Sequence, residues 1–195
     1  MSRLDKLKLA YLRTRHRQVA RGSGIPTHLT PEERIALYKL ARECSTILEI
    51  DSHLGAMTWV LARAISERRH GRVVCVDCWD DEAAGNGLEE RTSEFSRNLG
   101  VLMQHVRPIR GKREAVIAEV GEVVDRVDLL VMHAGASRHL LETNWLNYRK
   151  FTVPGSVVLV HGIGESADTQ TFIETTLRPQ VRRPASLAGL WWGHL

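Results

Sequence analysis

Short apolar runs and longer amphipathic stretches alternate along most of the chain. TILEI (46–50), RVVCVD (72–77), VDLLVM (127–132) and SVVLVH (156–161) read as buried strands, with a shorter one near 105–109. Between the first two, Met57, Val60, Leu61, Ala64 and Ile65 fall at i, i+3, i+4, i+7 and i+8, which predicts a helix over 56–69 that Gly71 closes. Further helices are expected over 89–99, 112–123, 138–150 and 167–177. Ahead of the first strand, LTPEERIALYKLAR carries a start signal: Thr30 to cap, Pro31 at the first position, Glu33 to complete a capping box. Pro154 and Gly155 turn the chain into strand 156–161, and the Pro-broken tail RPQVRRPASLAGLWWGHL supplies one or two closing strands.

Strands alternating with helices at this spacing predict an α/β fold, a doubly wound, Rossmann-like, mostly parallel sheet, because parallel neighbours need crossover connections. Ligands of such sheets bind outside the carboxyl ends of the strands. That rule selects Asp51 to Gly55, Asp77 to Trp79, His133 to Ser137 and His161 to Glu165.

The first of these turns, within LEIDSHLGAMT (48–58), holds one glycine where nucleotide-binding loops have two or three, and an acid, Asp51, where a small residue is usual. Aspartate tolerates a left-handed turn, so Asp51 does not by itself break the backbone. Asp77 closes the second strand, placed to accept hydrogen bonds from both hydroxyls of a ribose, and the start of helix 56–69 offers free N–H groups to an anion. Together they suit an adenosyl ligand with an acidic end. A single glycine leaves little room for the pyrophosphate of NAD, whereas the carboxylate of S-adenosylmethionine (SAM) is smaller. Asp51 would attract the ammonium of that ligand's methionine part, beside Glu49.

Charge separates the chain into an arm and a body. Residues 1–21 hold seven cations against Asp5, a balance of +6, so the remainder of a chain with net charge +4 sums to −2. RGSGIPTH (21–28) is a linker, giving a basic helical arm over 1–28 and a ligand-binding domain over 29–195. Leu4, Leu7, Tyr11 and Val19 lie near one helical stripe, so the arm is expected to pack over the active site or on a second copy of the chain in a homo-oligomer. Neither a nucleic acid nor a membrane is expected as partner: no nucleic-acid module is present, and the longest apolar runs are far too short to span a bilayer. No cleavable leader opens the chain, and a soluble, cytoplasmic protein is expected. Cys44, Cys75 and Cys78 lack the second ligand pair of a zinc site and read as buried or partly buried thiols.

LTPEERIALYKLAR, LEIDSHLGAMT, GRVVCVDCWDD, the F-x-x-N of Phe95 to Asn98, PIRGKREAV, VDLLVMHAGASR, PGSVVLVHG and LAGLWWGHL, in that order over residues 29–195, resemble the class I SAM-dependent methyltransferases. The resemblance is nearest to the branch of cephalosporin-hydroxylase-type and macrolide-sugar O-methyltransferases. It implies a seven-stranded sheet with its last strand antiparallel, SAM across the first two strand ends, and cofactor contacts at Glu49, Ser52, Gly55, Asp77 and Trp79, to which Asp51 is added from its place in the turn. Relatives often bind Mg²⁺, but where their pattern has an acid after the fourth strand this chain has His133. Where it has H-D after the fifth, the chain reads His161 then Gly162. With two hard oxygen ligands gone, no Mg²⁺ is expected.

His133 and His161 end neighbouring strands and are the candidate catalytic residues, either one serving as general base for a hydroxyl. Two alternatives stand beside that role: hydrogen-bonded pocket histidines without chemistry, or ligands of a softer metal with Glu165 or Asp168. The expected function is O-methylation of a small hydroxylated acceptor, a sugar or a secondary metabolite. The rival is a non-catalytic relative that binds a ligand or partner enzyme through the same cleft.

Overall fold

The computed structural model describes residues 11, 13–68, 70–79, 88–134, 137–164 and 166–195. Leu4 and Leu7 of the arm and the candidate metal ligand Glu165 therefore lie outside the described residues.

Seven strands, β1 (Thr46–Ile50), β2 (Arg72–Asp77), β3 (Val106–Arg110), β4 (Val127–His133), β5 (Thr152–His161), β6 (Arg182–Leu187) and β7 (Leu190–His194), form one sheet in the order β3-β2-β1-β4-β5-β7-β6. β1 to β5 are mutually parallel, and β7 runs antiparallel to both β5 and β6. The helices are α1 (Arg17–Arg21), α2 (Pro31–Ala41), α3 (Ala56–Arg68), α4 (Leu88–Leu99), α5 (Ile117–Val123), α6 (Arg138–Tyr148) and α7 (Ala167–Phe172). This is the doubly wound sheet with a reversed last strand that the periodicity and the resemblance implied.

Because strand side chains alternate between faces, each strand feeds two cores. Leu48, Ile50, Val74, Val76, Leu130 and Met132 pack against α5, α6 and α7. Ile47, Val73, Leu129, Val131, Val157 and Leu159 pack against α1, α2 and α3. The same parity carries Glu49, Asp77, His133 and His161 onto the α1–α3 side of the sheet. Register does the rest: Glu49 pairs with Val131, two residues before His133, and His133 pairs with His161.

The expected capping box forms, with Thr30 Oγ1 accepting from Glu33 N at 3.3 Å and Glu33 Oε2 accepting from Thr30 N at 2.7 Å. Glu33 Oε1 also accepts from Gly189 N at 2.5 Å, so this buried carboxylate ties the start of α2 to the β6–β7 turn. Two spans differ from expectation. The helix foreseen over 112–123 begins only at Ile117, since residues 112–116 form a turn in which Tyr148 Oη donates to the carbonyl of Arg113. β5 begins at Thr152, before Pro154 and Gly155, because an irregular register with β4 absorbs both; Gly155 sits at φ 97°.

The described part of the arm lies on the body. Val19 is buried in the α2–α3 core, Arg34 Nη1 donates to the carbonyl of Ala20 at 3.0 Å, and Arg63 Nη2 donates to Gln18 Oε1 at 3.0 Å. Tyr11, on the same expected stripe, is 61% exposed. Among the described residues no helix is long and apolar enough to cross a membrane.

Candidate active site

The turn after β1 is built from residues in the left-handed region: Asp51 at φ 68°, His53 at 49° and Gly55 at 88°. Trp79, after β2, shares that conformation at φ 47°. Such conformations cost of order 1–3 kcal/mol each in non-glycine residues and persist only where the surroundings enforce them. Here the enforcement is visible. Asp77 Oδ2 accepts from His53 N at 2.7 Å and Oδ1 from Trp79 N at 2.8 Å, so one carboxylate holds both turns. Trp79 Nε1 donates to the carbonyl of His53 at 2.8 Å, and Asn98 Nδ2 to that of Leu54 at 3.0 Å. A Cβ on Gly55 would meet the ring of Phe95 at 3.1 Å, which is why the single glycine of the loop stands there. The F-x-x-N of α4 is thus a brace under the loop, a role the sequence did not disclose.

Asp51 is directed to Arg113, at 3.0 Å, with both side chains largely buried. Burial pushes the Asp51 carboxyl up from its ordinary value and the guanidinium opposes that shift. The acid that seemed free to meet a ligand's ammonium has a protein partner instead. Trp79, at 2% exposure, packs on Phe95 with ring centroids 4.9 Å apart.

Glu49, Ser52 and His133 differ from these. Glu49 is fully buried; its Oε2 accepts from Thr58 Oγ1 at 2.5 Å, while Oε1 has no hydrogen-bond partner among the described residues. The same is true of Ser52 Oγ, which faces the Cys75 thiol, and of His133 Nε2. Glu49 Oε1 and His133 Nε2 stand 3.5 Å apart. His53 and His161 flank His133 edge-on, with ring centroids at 5.8 and 5.5 Å. Burial, then the neighbouring His133, push the pKa of His161 down to about 4. His161 is therefore neutral at pH 7 and a weaker base than a histidine of ordinary pKa.

A cavity of about 360 Å³ opens onto this group, lined among others by His28, Ser52, His53, Met57, His133 and His161. Pro26 to Leu29 of the linker form one of its walls. A second cavity, of about 320 Å³, lies on the other side of the loop between Asp51, Cys78, Gly111 and Arg113. His28 and Arg113 escaped the sequence reading, and His53 entered it only within the turn 51–55: each sits in a loop, where no periodicity marks a side chain as inward. No three His, Cys, Asp or Glu side chains among the described residues converge as a metal site, and Asp168 accepts from Arg138 N at 3.4 Å.

Residues 48–163, more than half the chain, match the family model described as a methyltransferase domain. The chain belongs to that methyltransferase family. The matched span runs from within β1 through the end of β5 and contains Glu49, Asp51, Ser52, Gly55, Asp77, Trp79, His133 and His161. No curated protein matches the sequence. Among solved structures, this methyltransferase is similar to an O-methyltransferase from Bacillus cereus in complex with SAH (TM-score 0.64, 18% identity, 95% of this chain and 91% of that one). It is also similar to the O-methyltransferase TomG from Streptomyces achromogenes in complex with SAM (0.63, 18%, 96% and 87%). A third is CalS11, a TDP-rhamnose 3'-O-methyltransferase (0.60, 14%, 95% and 93%). At these identities the likeness is one of fold.

Proposed function

We propose that this methyltransferase moves the methyl group of SAM to a hydroxyl of a small acceptor, a sugar or a secondary metabolite, without Mg²⁺. The observation that carries the reading is the strand-end cavity of about 360 Å³ with Ser52 and His133 in its wall, the Ser52 hydroxyl buried and without a hydrogen-bond partner among the described residues. Buried polar groups are nearly always paired, so an unpaired one in a cavity wall is where a polar ligand belongs. Asp77 keeps unused lone pairs for a ribose even with both oxygens engaged, and the two cavities flank the loop that such a ligand would cross. SAM-bound and SAH-bound proteins of this fold agree with that cofactor, and the TDP-rhamnose enzyme agrees with a sugar acceptor.

When bound, SAM supplies an electrophilic methyl group on a sulfonium, so the chain has to orient the acceptor, exclude water and take up one proton. Ser52, Asp77 and the start of α3 hold the cofactor. His133, on the cavity wall, accepts the hydroxyl proton, while neutral His161 positions the acceptor by a hydrogen bond. Self-association through the arm, with Tyr11 exposed, belongs to the same proposal.

Calorimetric titration with SAM and S-adenosylhomocysteine should give binding in the micromolar range; no heat up to millimolar ligand would sink the reading. A second reading, binding without turnover, is favoured by the Asp51–Arg113 ion pair in the wall of the second cavity. Turnover of any hydroxylated acceptor that is lost in His133→Ala decides against it.

A further inference from the structure

Within the proposed reaction, on which this inference rests, we infer that Glu49 serves His133 rather than the cofactor, the pair forming a carboxylate–imidazole dyad. Glu49 is the acid that the family resemblance assigns to cofactor contact, yet the fold commits it elsewhere. Its Oε2 is taken by Thr58 Oγ1, and its Oε1 stands 3.5 Å from His133 Nε2. Both facing atoms are buried and neither has another partner among the described residues. At 3.5 Å the contact is longer than a made hydrogen bond, but catalytic hydrogen bonds tighten when a ligand fills the site.

The pairing follows from strand geometry. Glu49 and His133 lie on the same face of neighbouring parallel strands, His133 two residues beyond the register partner of Glu49, and Thr58 on α3 closes the carboxylate from above. A carboxylate in this place does two things. It holds the proton of a neutral imidazole on Nε2, so that Nδ1 is the nitrogen left to accept the acceptor's proton, and it stabilises the imidazolium that results. Atoms and charge would balance: the acceptor oxygen would bond to the methyl carbon as that carbon's bond to sulfur breaks and S-adenosylhomocysteine leaves, while the hydroxyl proton would pass to Nδ1 of His133 and then to solvent. The acid that relatives place after the fourth strand is replaced here by an imidazole, and an acid already present in β1 becomes its support. Glu49 is thus a positioning residue and His133 the catalytic one.

Two readouts separate this from a cofactor role. Glu49→Gln keeps the shape and an accepting oxygen but removes the charge; it should lower the single-turnover rate at saturating SAM about 10- to 100-fold while the affinity for S-adenosylhomocysteine stays within about threefold. His133→Gln should lose activity to a similar or greater extent, and the double variant should be no worse than the worse single one. If Glu49→Gln instead weakens S-adenosylhomocysteine binding tenfold or more and leaves the saturated rate unchanged, Glu49 is a cofactor residue and the dyad is overturned. The second readout needs no cofactor: ¹⁵N shifts of His133 in the ligand-free protein should report a single Nε2–H tautomer that becomes mixed in Glu49→Ala, far-ultraviolet circular dichroism confirming the fold. An unchanged tautomer in that variant would remove the dyad even in an active enzyme. A wild-type protein with the Nε2–H tautomer but no affinity for SAM would overturn the methyl-transfer reading and leave the contact standing.

Discussion

The two sides of the strand-end cleft are made from the same kinds of residue and used differently. On the β2–β3 side the acids are engaged: Asp77 by the amides of His53 and Trp79, Asp51 by Arg113. Where β1 meets β4, Glu49 Oε1 and His133 Nε2 are buried without a made hydrogen bond among the described residues, as is Ser52 Oγ in the turn after β1. The first arrangement holds a loop of left-handed residues in place. The second sets a carboxylate against an imidazole at 3.5 Å and leaves a hydroxyl without a made hydrogen bond in the wall of the strand-end cavity. A polar residue at a strand end is therefore weak evidence of chemistry until its partners are known.

The comparison breaks most readily at Asp77. Asp77→Ala strands two amide donors at the base of the loop and should cost about 3 kcal/mol in urea unfolding; a loss under about 1 kcal/mol would mean that the loop holds itself. His161 comes next, with a pH signature. Its folded pKa, about 4 against the ordinary 6.5, is depressed, so its contribution to stability is present above 6.5 and is lost as pH falls through about 4. His161→Gln should lose less stability than wild type across that window, with its acid midpoint at lower pH in a circular-dichroism titration. Arg113→Ala should cost about 1 kcal/mol at pH 7 by leaving the buried Asp51 charge uncompensated. That loss should shrink in acid, where Asp51 takes up its proton, and be largely restored at pH 7 by adding Asp51→Asn, as chemical denaturation of the three variants would report. Smallest of all is Ser52→Ala: within about 0.5 kcal/mol of wild type in thermal unfolding, because the hydroxyl it removes faces only the Cys75 thiol, a weak partner. A Ser52→Ala cost comparable to that of Asp77→Ala would erase the distinction between the two sides.

Much of the scaffold was legible because it obeys local rules. β1, β2 and β4 stand where the apolar runs place them, and the start of α2 carries its capping box. The resemblance pointed to Glu49, Ser52, Gly55, Asp77 and Trp79, of which Ser52 lines the strand-end cavity. Less legible was what each side chain touches there. Asp51 looked available to a ligand because Arg113, sixty-two positions later, carries no sequence sign of reaching it. Asp77 was read first for its place at a ribose, and that it fastens two backbone turns at once is visible only in the fold. The helix foreseen over 112–123 failed in its first turn, where the Arg113 guanidinium pairs with Asp51 and its carbonyl accepts from Tyr148.

What the sequence by itself determined is the alternation of periods, and with it the sheet, the face that each strand residue occupies and the end at which ligands bind. Periodicity and capping depend on neighbours within a few positions, so they survive in a one-dimensional reading. Only the tertiary structure decided that Glu49 meets His133, that Asp51 is neutralised by Arg113, and that His161 is held neutral by burial. Those outcomes depend on register between strands, on where the loops fall and on how far water is excluded, and each of these is set by packing between residues distant in the chain.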